Sequence, residues 1–263
     1  MVSYKLNQIG IGDMVSFVSD IINSKEQDYT ITLNKSAISK YKNDAPLYWE
    51  FSKLFLSRLL VTKNVTFTDQ QNLPDYVINT DNFLQSSKNE KVCSHFRNVF
   101  ATQDPPIESP YIVLSTKARN YQRSFFDSQK DFLFSEINSL GLKVILLGEK
   151  EIQYNYEYSI WGQDQIYSIY NDSLKLINPE LLIDMTVPKL GLTTPNIENL
   201  FNDMSIAYKS RLCINIGVGG FFCTTIFSGK LRSIGLYQNH VNGIYVFQDT
   251  KNMIENVKLL CAK

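Results

Sequence analysis

Two glycine turns hold the residues best suited to chemistry. The first is Ile9-Gly10-Ile11-Gly12-Asp13, and the second is Ile216-Gly217-Val218-Gly219-Gly220-Phe221. A strand that breaks at glycines and re-enters as a helix leaves backbone N–H groups and a positive dipole end facing outwards. That arrangement suits an anion. The first turn is not a dinucleotide fingerprint, because Val15 stands where a third glycine is needed. Its aspartate would also repel phosphate. Asp13 fits two roles instead. It can cap the helix, or, held ionised by the dipole at a cleft edge, it can take a proton from a substrate hydroxyl. The second turn carries no acid and is the better anion site. Cys223, Thr224 and Thr225 follow it, and Lys230 closes the short helix with a cation. A tight turn needed only for helix–sheet packing is the competing reading.

Three further clusters carry weaker signals. Ser115-Thr116-Lys117-Ala118-Arg119-Asn120 directly follows a strand, where the carboxyl end of a parallel sheet opens onto a ligand crevice. Lys117 and Arg119 there could neutralise a diphosphate leaving group, or form a solvated basic loop. Cys93 and His95 invite a nucleophile reading, but neighbours in sequence need not converge in space. Tyr154, Tyr156, Tyr158 and Trp161 could stack on a base or sugar, or pack as an ordinary loop.

The elements that must position these residues alternate between strand and helix. Residues 2–6 form a strand. Met14, Val15, Phe17, Val18, Ile21 and Ile22 then repeat at helical spacing. Residues 29–33, 64–67 and 76–78 predict further strands. Pro46 opens a helix whose period runs through Leu47, Phe51, Leu54, Phe55, Arg58 and Leu59. After the break the alternation restarts with a strand at 111–114 and a helix through Leu133 and Ile137. The apolar run Val144-Ile145-Leu146-Leu147 suits a strand buried on both faces. A helix opened by Thr194-Pro195, a strand at 212–216, a last strand near 233–237 and an amphipathic helix through Met253, Ile254, Val257 and Leu260 complete the order. Pro105, Pro106 and Pro110 mark a linker that can continue neither helix nor interior strand. The expected domains are therefore 1–104 and 105–263. The fold class is α/β, with two Rossmann-like, doubly wound halves facing a central cleft.

Composition narrows the function. Lys+Arg and Asp+Glu both total 26, so the formal net charge is zero. That argues against a general nucleic-acid binder. The 4 cysteines and 2 histidines show no metal-ligand spacing, so no metal is expected. Neither a signal-like segment nor a run of membrane-spanning length stands out, which predicts a cytoplasmic protein without a transmembrane segment. Oligomeric state is not legible.

Together the residues resemble the GT-B glycosyltransferases, and within them the heptosyltransferase-like superfamily, glycosyltransferase family 9. The resemblance rests on Ile9-Gly10-Ile11-Gly12-Asp13, similar to that family's Gly-Asp turn after the first strand. It rests also on Val144-Ile145-Leu146-Leu147-Gly148-Glu149 and on Gly217-Val218-Gly219-Gly220 at the place of the donor loop. The sequence departs from the family at that loop, where Asn215-Ile216-Gly217 and Phe221 stand in place of Asp-Thr/Ser-Gly and a nearby histidine. The resemblance implies an inverting, metal-independent transfer with Asp13 as general base. It implies a C-terminal half that binds the nucleotide diphosphate through the turn Gly217, Val218, Gly219, Gly220 and Phe221, to which the residue reading adds Lys117, Arg119 and Lys230. Gly12, Gly148 and Glu149 would touch nucleotide or sugar. The implied partners are a nucleotide sugar and a glycan acceptor, with no cofactor. A nucleotide-sugar epimerase of the same architecture and a non-catalytic sugar- or nucleotide-binding module remain open alternatives.

Overall fold

The computed structural model of the 263-residue chain describes residues 1–39, 45–79, 85–86, 88–100, 104–118, 130–148, 167–187, 194–216, 227 and 233–236. The first half runs β1 (Val2–Leu6), α1 (Ile11–Asn23), β2 (Asp28–Leu33), α2 (Lys35–Ser39), α3 (Ala45–Leu59), β3 (Asn64–Phe67), β4 (Asp75–Tyr76) and α4 (Glu90–Phe100). The second runs β5 (Tyr111–Ser115), β6 (Lys117–Ala118), α5 (Lys130–Ser139), β7 (Lys143–Leu147), β8 (Tyr167–Ser168), α6 (Tyr170–Leu176), β9 (Leu182–Asp184), α7 (Thr194–Lys209), β10 (Leu212–Ile216) and β11 (Ser233–Leu236).

Among the described residues the strands form two parallel sheets and one antiparallel pair. The first sheet has the order β3-β2-β1-β4, the second β11-β10-β5-β7-β9, and β6 pairs with β8. Two parallel-sheet α/β halves are therefore present. In the second sheet the buried run predicted at 144–147 is β7, flanked by β5 and β9. Every residue of β5 is buried, as expected of a strand covered by helices on both faces.

The periodic face of α1 is buried as its sequence predicts, from Met14 to Ile22. In α3 the expected Phe51, Phe55 and Leu59 are buried, joined by Tyr48 and Leu56, while Leu47 and Leu54 at the edges of that face are exposed. The aromatic rings remove the most apolar area from water, so they set the helix rotation. The strand expected at 76–78 pairs only through Asp75 and Tyr76, and Val77 is exposed.

α7 is buried on two sides and ties the halves together. Ile206 and Ala207 pack with Tyr111, Val113, Ile145, Leu147 and Cys213 of the second half. Ile197, Leu200, Phe201, Met204 and Tyr208 join the core of the first half. There the Phe201 ring centroid lies 5.5 Å from Phe55 and 5.8 Å from Phe100. Ser205 Oγ donates to the Phe100 carbonyl at 2.5 Å and satisfies an acceptor in the last turn of α4. The Arg58 guanidinium lies 4.4 Å from the Phe201 ring and pairs with Glu198 at 2.7 Å. That exposed ion pair contributes little, on the order of 0–1 kcal/mol. Burial of the rings dominates. No helix among the described residues is long and apolar enough to cross a membrane.

Candidate functional site

Both sheets reverse direction once, and Asp13 and Lys117 follow strands at those reversals. In the first sheet the chain steps outwards from β1 to β2 and β3, then returns to β4 on the other side of β1. In the second it steps from β5 to β7 and β9, then returns to β10 and β11 beyond β5. Where strand order reverses, the loops leaving adjacent strands diverge and open a crevice at the carboxyl ends. The crevices lie between β1 and β4 and between β5 and β10. Asp13 follows the carboxyl end of β1, and Lys117 follows that of β5.

The Asp13 turn is held from several directions. Met14 N–H donates to the Gly10 carbonyl at 2.9 Å and opens α1. Gly10 N–H in turn donates to Asp13 Oδ2 at 3.1 Å. The N-cap is thus Gly10 and not Asp13, which stands at the third helical position and reaches back to the N-cap N–H, a bond that fixes the direction of its carboxylate. Gly10 has φ −63°, a backbone that any residue adopts, so its need for glycine is spatial. A Cβ placed there would sit 2.7 Å from Asp13 Oδ2. The half-buried carboxylate lies in the first turn of α1, at the positive end of the helix dipole. Tyr48 Oη donates to the Ile9 carbonyl at 2.7 Å and anchors the turn to α3. Asn34 donates through Nδ2 to Asn7 Oδ1 at 2.5 Å and through its backbone N–H to the Leu6 carbonyl at 2.9 Å. The sequence reading missed these supports. Tyr48 was hidden in the α3 period, and an Asn–Asn pair 27 residues apart gives no local signal.

In the second crevice a polar cluster is buried where an apolar one would be the rule. Ser115, Thr116 and Asn215 are all buried, and Asn215 is in register with Ser115 across β10 and β5. Thr116 is 0% exposed, and its Oγ1 has no hydrogen-bond partner among the described residues. Its carbonyl accepts the Ile169 N–H at 2.9 Å, so the backbone is satisfied while the hydroxyl is not. An orphaned buried hydroxyl costs about 1–3 kcal/mol, and such groups call for an explanation beyond packing. Asn215 Nδ2 donates to Cys213 Sγ at 3.5 Å, a weak acceptor. These three residues flank the positions that the sequence did single out.

Lys117 lies in β6, paired with Ser168 of β8. Gly148 ends β7 with φ +111°, a conformation side chains rarely adopt, and its carbonyl accepts the Val187 N–H at 2.9 Å. Gly12 is half-buried in the first turn of α1. Arg119, Glu149, Gly217, Val218, Gly219, Gly220, Phe221 and Lys230 lie outside the described residues, as do the aromatic stretch 154–161 and the helix expected at 253–260.

Cys93 and His95 do not form a nucleophilic pair. Both lie on α4, and His95 Nε2 lies 2.6 Å from the Leu59 carbonyl. Burial lowers the His95 pKa, with the Leu59 hydrogen bond opposing, so a neutral ring donating to that carbonyl fits the site. Burial raises the Cys93 thiol, the reverse of activation. No group of three His, Cys, Asp or Glu side chains suited to a metal ion gathers among the described residues.

By sequence the chain matches no protein-family model and no curated protein. Structures give a different answer. E. coli heptosyltransferase WaaC bound to ADP-2-deoxy-2-fluoro heptose superposes with a TM-score of 0.50 at 11% identity, over 100% of this chain and 99% of that one. WaaC with ADP gives a TM-score of 0.50 at 10% identity, over the same shares. The chain shares the GT-B fold of these structures. The dodecameric, iron-containing heptosyltransferase TibC, solved with ADP-D-beta-D-heptose, also aligns, with a TM-score of 0.45 at 12% identity over 95% of this chain. The chain spans 65% of the length of TibC. In the GT-B chain described here, the strand reversals in the two sheets account for where Asp13 and the Ser115–Thr116–Asn215 cluster stand.

Proposed function

We propose that the protein is a glycosyltransferase that moves a sugar from a nucleotide-diphosphate sugar to a hydroxyl of a glycan or glycoconjugate acceptor. The observation that carries this reading is the Asp13 carboxylate, held by the Gly10 N–H, at the first strand reversal, with the buried Thr116 hydroxyl, which has no hydrogen-bond partner among the described residues, at the second. One crevice offers a base and no cation in its glycine turn. The other offers hydroxyl and amide groups beside a lysine and a glycine-rich sequence. A transfer from a diphosphate donor needs both.

The reaction follows from those chemistries. Asp13 accepts the proton of the acceptor hydroxyl as its oxygen attacks the anomeric carbon. The bond from that carbon to the diphosphate oxygen breaks, and the configuration inverts because attack comes from the opposite face. Charge develops on the departing diphosphate. Lys117, Arg119, Lys230 and the N–H groups of Gly217, Val218, Gly219, Gly220 and Phe221 are suited to stabilise it, which would let the transfer run without a metal. Thr116 and Ser115 add hydroxyl donors to this set. Gly12, Gly148 and Glu149 would contact nucleotide or sugar. On this reading residues 1–104 form the acceptor side and 105–263 the donor side.

WaaC, which shares the fold, was solved with ADP and with an ADP-heptose analogue, so ADP and its sugars are the first donors to test. The experiment is titration of ADP, UDP, GDP and dTDP in EDTA, followed by thermal melting. A nucleotide at 100 times its Kd stabilises the protein by about 2.7 kcal/mol. For a chain of this size that corresponds to roughly 5–10 °C in Tm. Failure of all four to bind would remove the reading.

A further inference from the structure

A cavity of about 480 Å³ lies in the first half, away from both crevices. Val2 and Tyr4 at the amino end of β1 line it, together with Asp20 and Asn23 in the last turns of α1 and Tyr29 at the start of β2. This is the opposite end of the sheet from Asp13. Asp20 is 7 residues further along α1, which at ~1.5 Å per residue separates the two carboxylates by roughly 10 Å along the axis.

The sheet itself accounts for the space. β4 pairs only with Lys5 and Leu6 of β1. On that side the edge of β1 from Val2 to Tyr4 has no strand partner among the described residues. Tyr76, the last residue of β4, turns its hydroxyl to the Asp20 carboxylate and its ring to Tyr4 and Phe17, with centroids 5.8 and 4.8 Å apart. Asn89 closes the far wall and donates through Nδ2 to Asn23 Oδ1 at 2.9 Å. The cavity's volume falls within the ~300–1,000 Å³ usual for small-molecule sites.

The lining selects a ligand class. Among the described residues that line it, Asp20 is the one carboxylate, and there is no lysine, arginine or histidine. A phosphate or other anion would meet a negative group with nothing to balance it. A purely apolar ligand would strip water from the remaining donors and acceptors of Asp20, Asn23 and Asn89 without replacing those bonds. Asparagine amides and tyrosine hydroxyls both donate and accept, and a carboxylate accepts twice. The tyrosine rings add apolar faces beside these polar groups. A polyhydroxylated ring, with hydroxyls around its rim and C–H groups on its faces, matches that mixture.

We propose that this cavity is a second binding site, separate from the Asp13 crevice, which takes a neutral saccharide unit. The ligand class is read from the lining alone, so the proposal stands or falls independently of the transferase reading. The saccharide can be a single sugar or one residue of a longer glycan.

The test is ligand-observed NMR and calorimetry on the full chain without donor. The probes are glucose, galactose, N-acetylglucosamine and maltotetraose, with inorganic phosphate and tetramethylammonium as the competing chemistries. At least one saccharide should bind with Kd of about 1 mM or tighter. Asp20→Asn, which keeps the shape, should weaken it about tenfold through loss of a charged acceptor. Asn23→Ala, near the exposed end of α1, should weaken it in the same direction, with a Tm near wild type establishing that the variant folds. Asp13→Asn should leave the saccharide Kd unchanged. A maltotetraose affinity well above that of glucose would identify the glycan chain as the source, and equal affinities the single sugar. The proposal is overturned if no saccharide saturates, if tetramethylammonium or phosphate binds in place of the sugars, or if Asp20→Asn leaves binding intact. Loss of binding in Asp13→Asn alone would place the sugar in the crevice and overturn it equally.

Discussion

Asp203 should make the stability of this protein fall as pH rises, and Asp203→Asn should abolish that dependence. The residue lies in α7, one turn before Ile206 and Ala207, and is 6% exposed. Its Oδ2 has no hydrogen-bond partner among the described residues. Burial pushes its pKa from the ordinary 3.8 up to about 7. The folded chain therefore holds the proton more tightly than the unfolded one across that interval, and stability falls as pH climbs from about 4 to about 7. A tenfold difference in proton affinity between the two states is worth about 1.4 kcal/mol, so the full cost above pH 7 is on the order of 4 kcal/mol. Asparagine has the same size and stays neutral. Between pH 5 and pH 8 the stability gap between Asp203→Asn and wild type should therefore widen by about 2–3 kcal/mol. Urea denaturation of both proteins at the two pH values measures the gap directly, and other titrating groups cancel in the difference. A gap that does not change with pH would refute the reasoning, because it would mean that the carboxylate is solvated and α7 is not enclosed on both sides.

Other expectations follow from single geometric facts. Asp13→Ala should lower transfer by about 10²–10⁴-fold with donor affinity unchanged, by steady-state kinetics and calorimetry; wild-type turnover would remove Asp13 from the mechanism. Gly10→Ala should lower turnover in the same direction with Tm near wild type, because its Cβ would stand 2.7 Å from Asp13 Oδ2 and must displace that oxygen. Gly148→Ala should cost about 1–3 kcal/mol in urea unfolding, from the φ of +111° rather than from crowding, since a Cβ there meets nothing within 4 Å. Thr116→Val, matched in shape, should leave stability unchanged or raise it by up to about 1–3 kcal/mol while weakening donor binding; unchanged donor affinity would show that the orphaned hydroxyl has no ligand role.

Much of the secondary structure was legible because its signals are local. The α1 face and the β7 run are patterns of period 3.6 and of continuous apolarity, and both survive into the fold. α4 was legible too, though the sequence reading passed over it. Asn89 caps it, with Oδ1 accepting the N–H groups of Lys91 and Val92 at 3.0 and 3.4 Å, and Val92, Phe96 and Phe100 recur every fourth residue. Attention to Cys93 and His95 as chemistry obscured the helix that carries them. The strand orders were not readable, since which strands neighbour β1 and β5 is decided by packing of the crossover helices. The Ser115–Thr116–Asn215 cluster was unreadable for the same reason. Asn215 lies 99 or more residues from the other two across the β5–β10 pairing, and only that pairing shows them to be one site.

The core of the first half is completed from beyond the proline segment. Phe55 and Phe100 pack against Phe201, Phe100 also meets Tyr208 at 5.8 Å, and Phe96 stacks on Phe227 at 4.4 Å. Truncating one such ring to alanine typically costs about 3–5 kcal/mol, a large part of the roughly 5–15 kcal/mol by which a domain is stable. The prolines at 105, 106 and 110 separate the two sheets along the chain, yet α7 carries the second half's own residues into the first half's interior. The carboxylate at the first strand reversal and the polar cluster at the second are thus mounted on sheets coupled through one helix. Separating the Phe55–Phe201–Phe100 rings would expose far more apolar surface than parting the small contacts at Ala207.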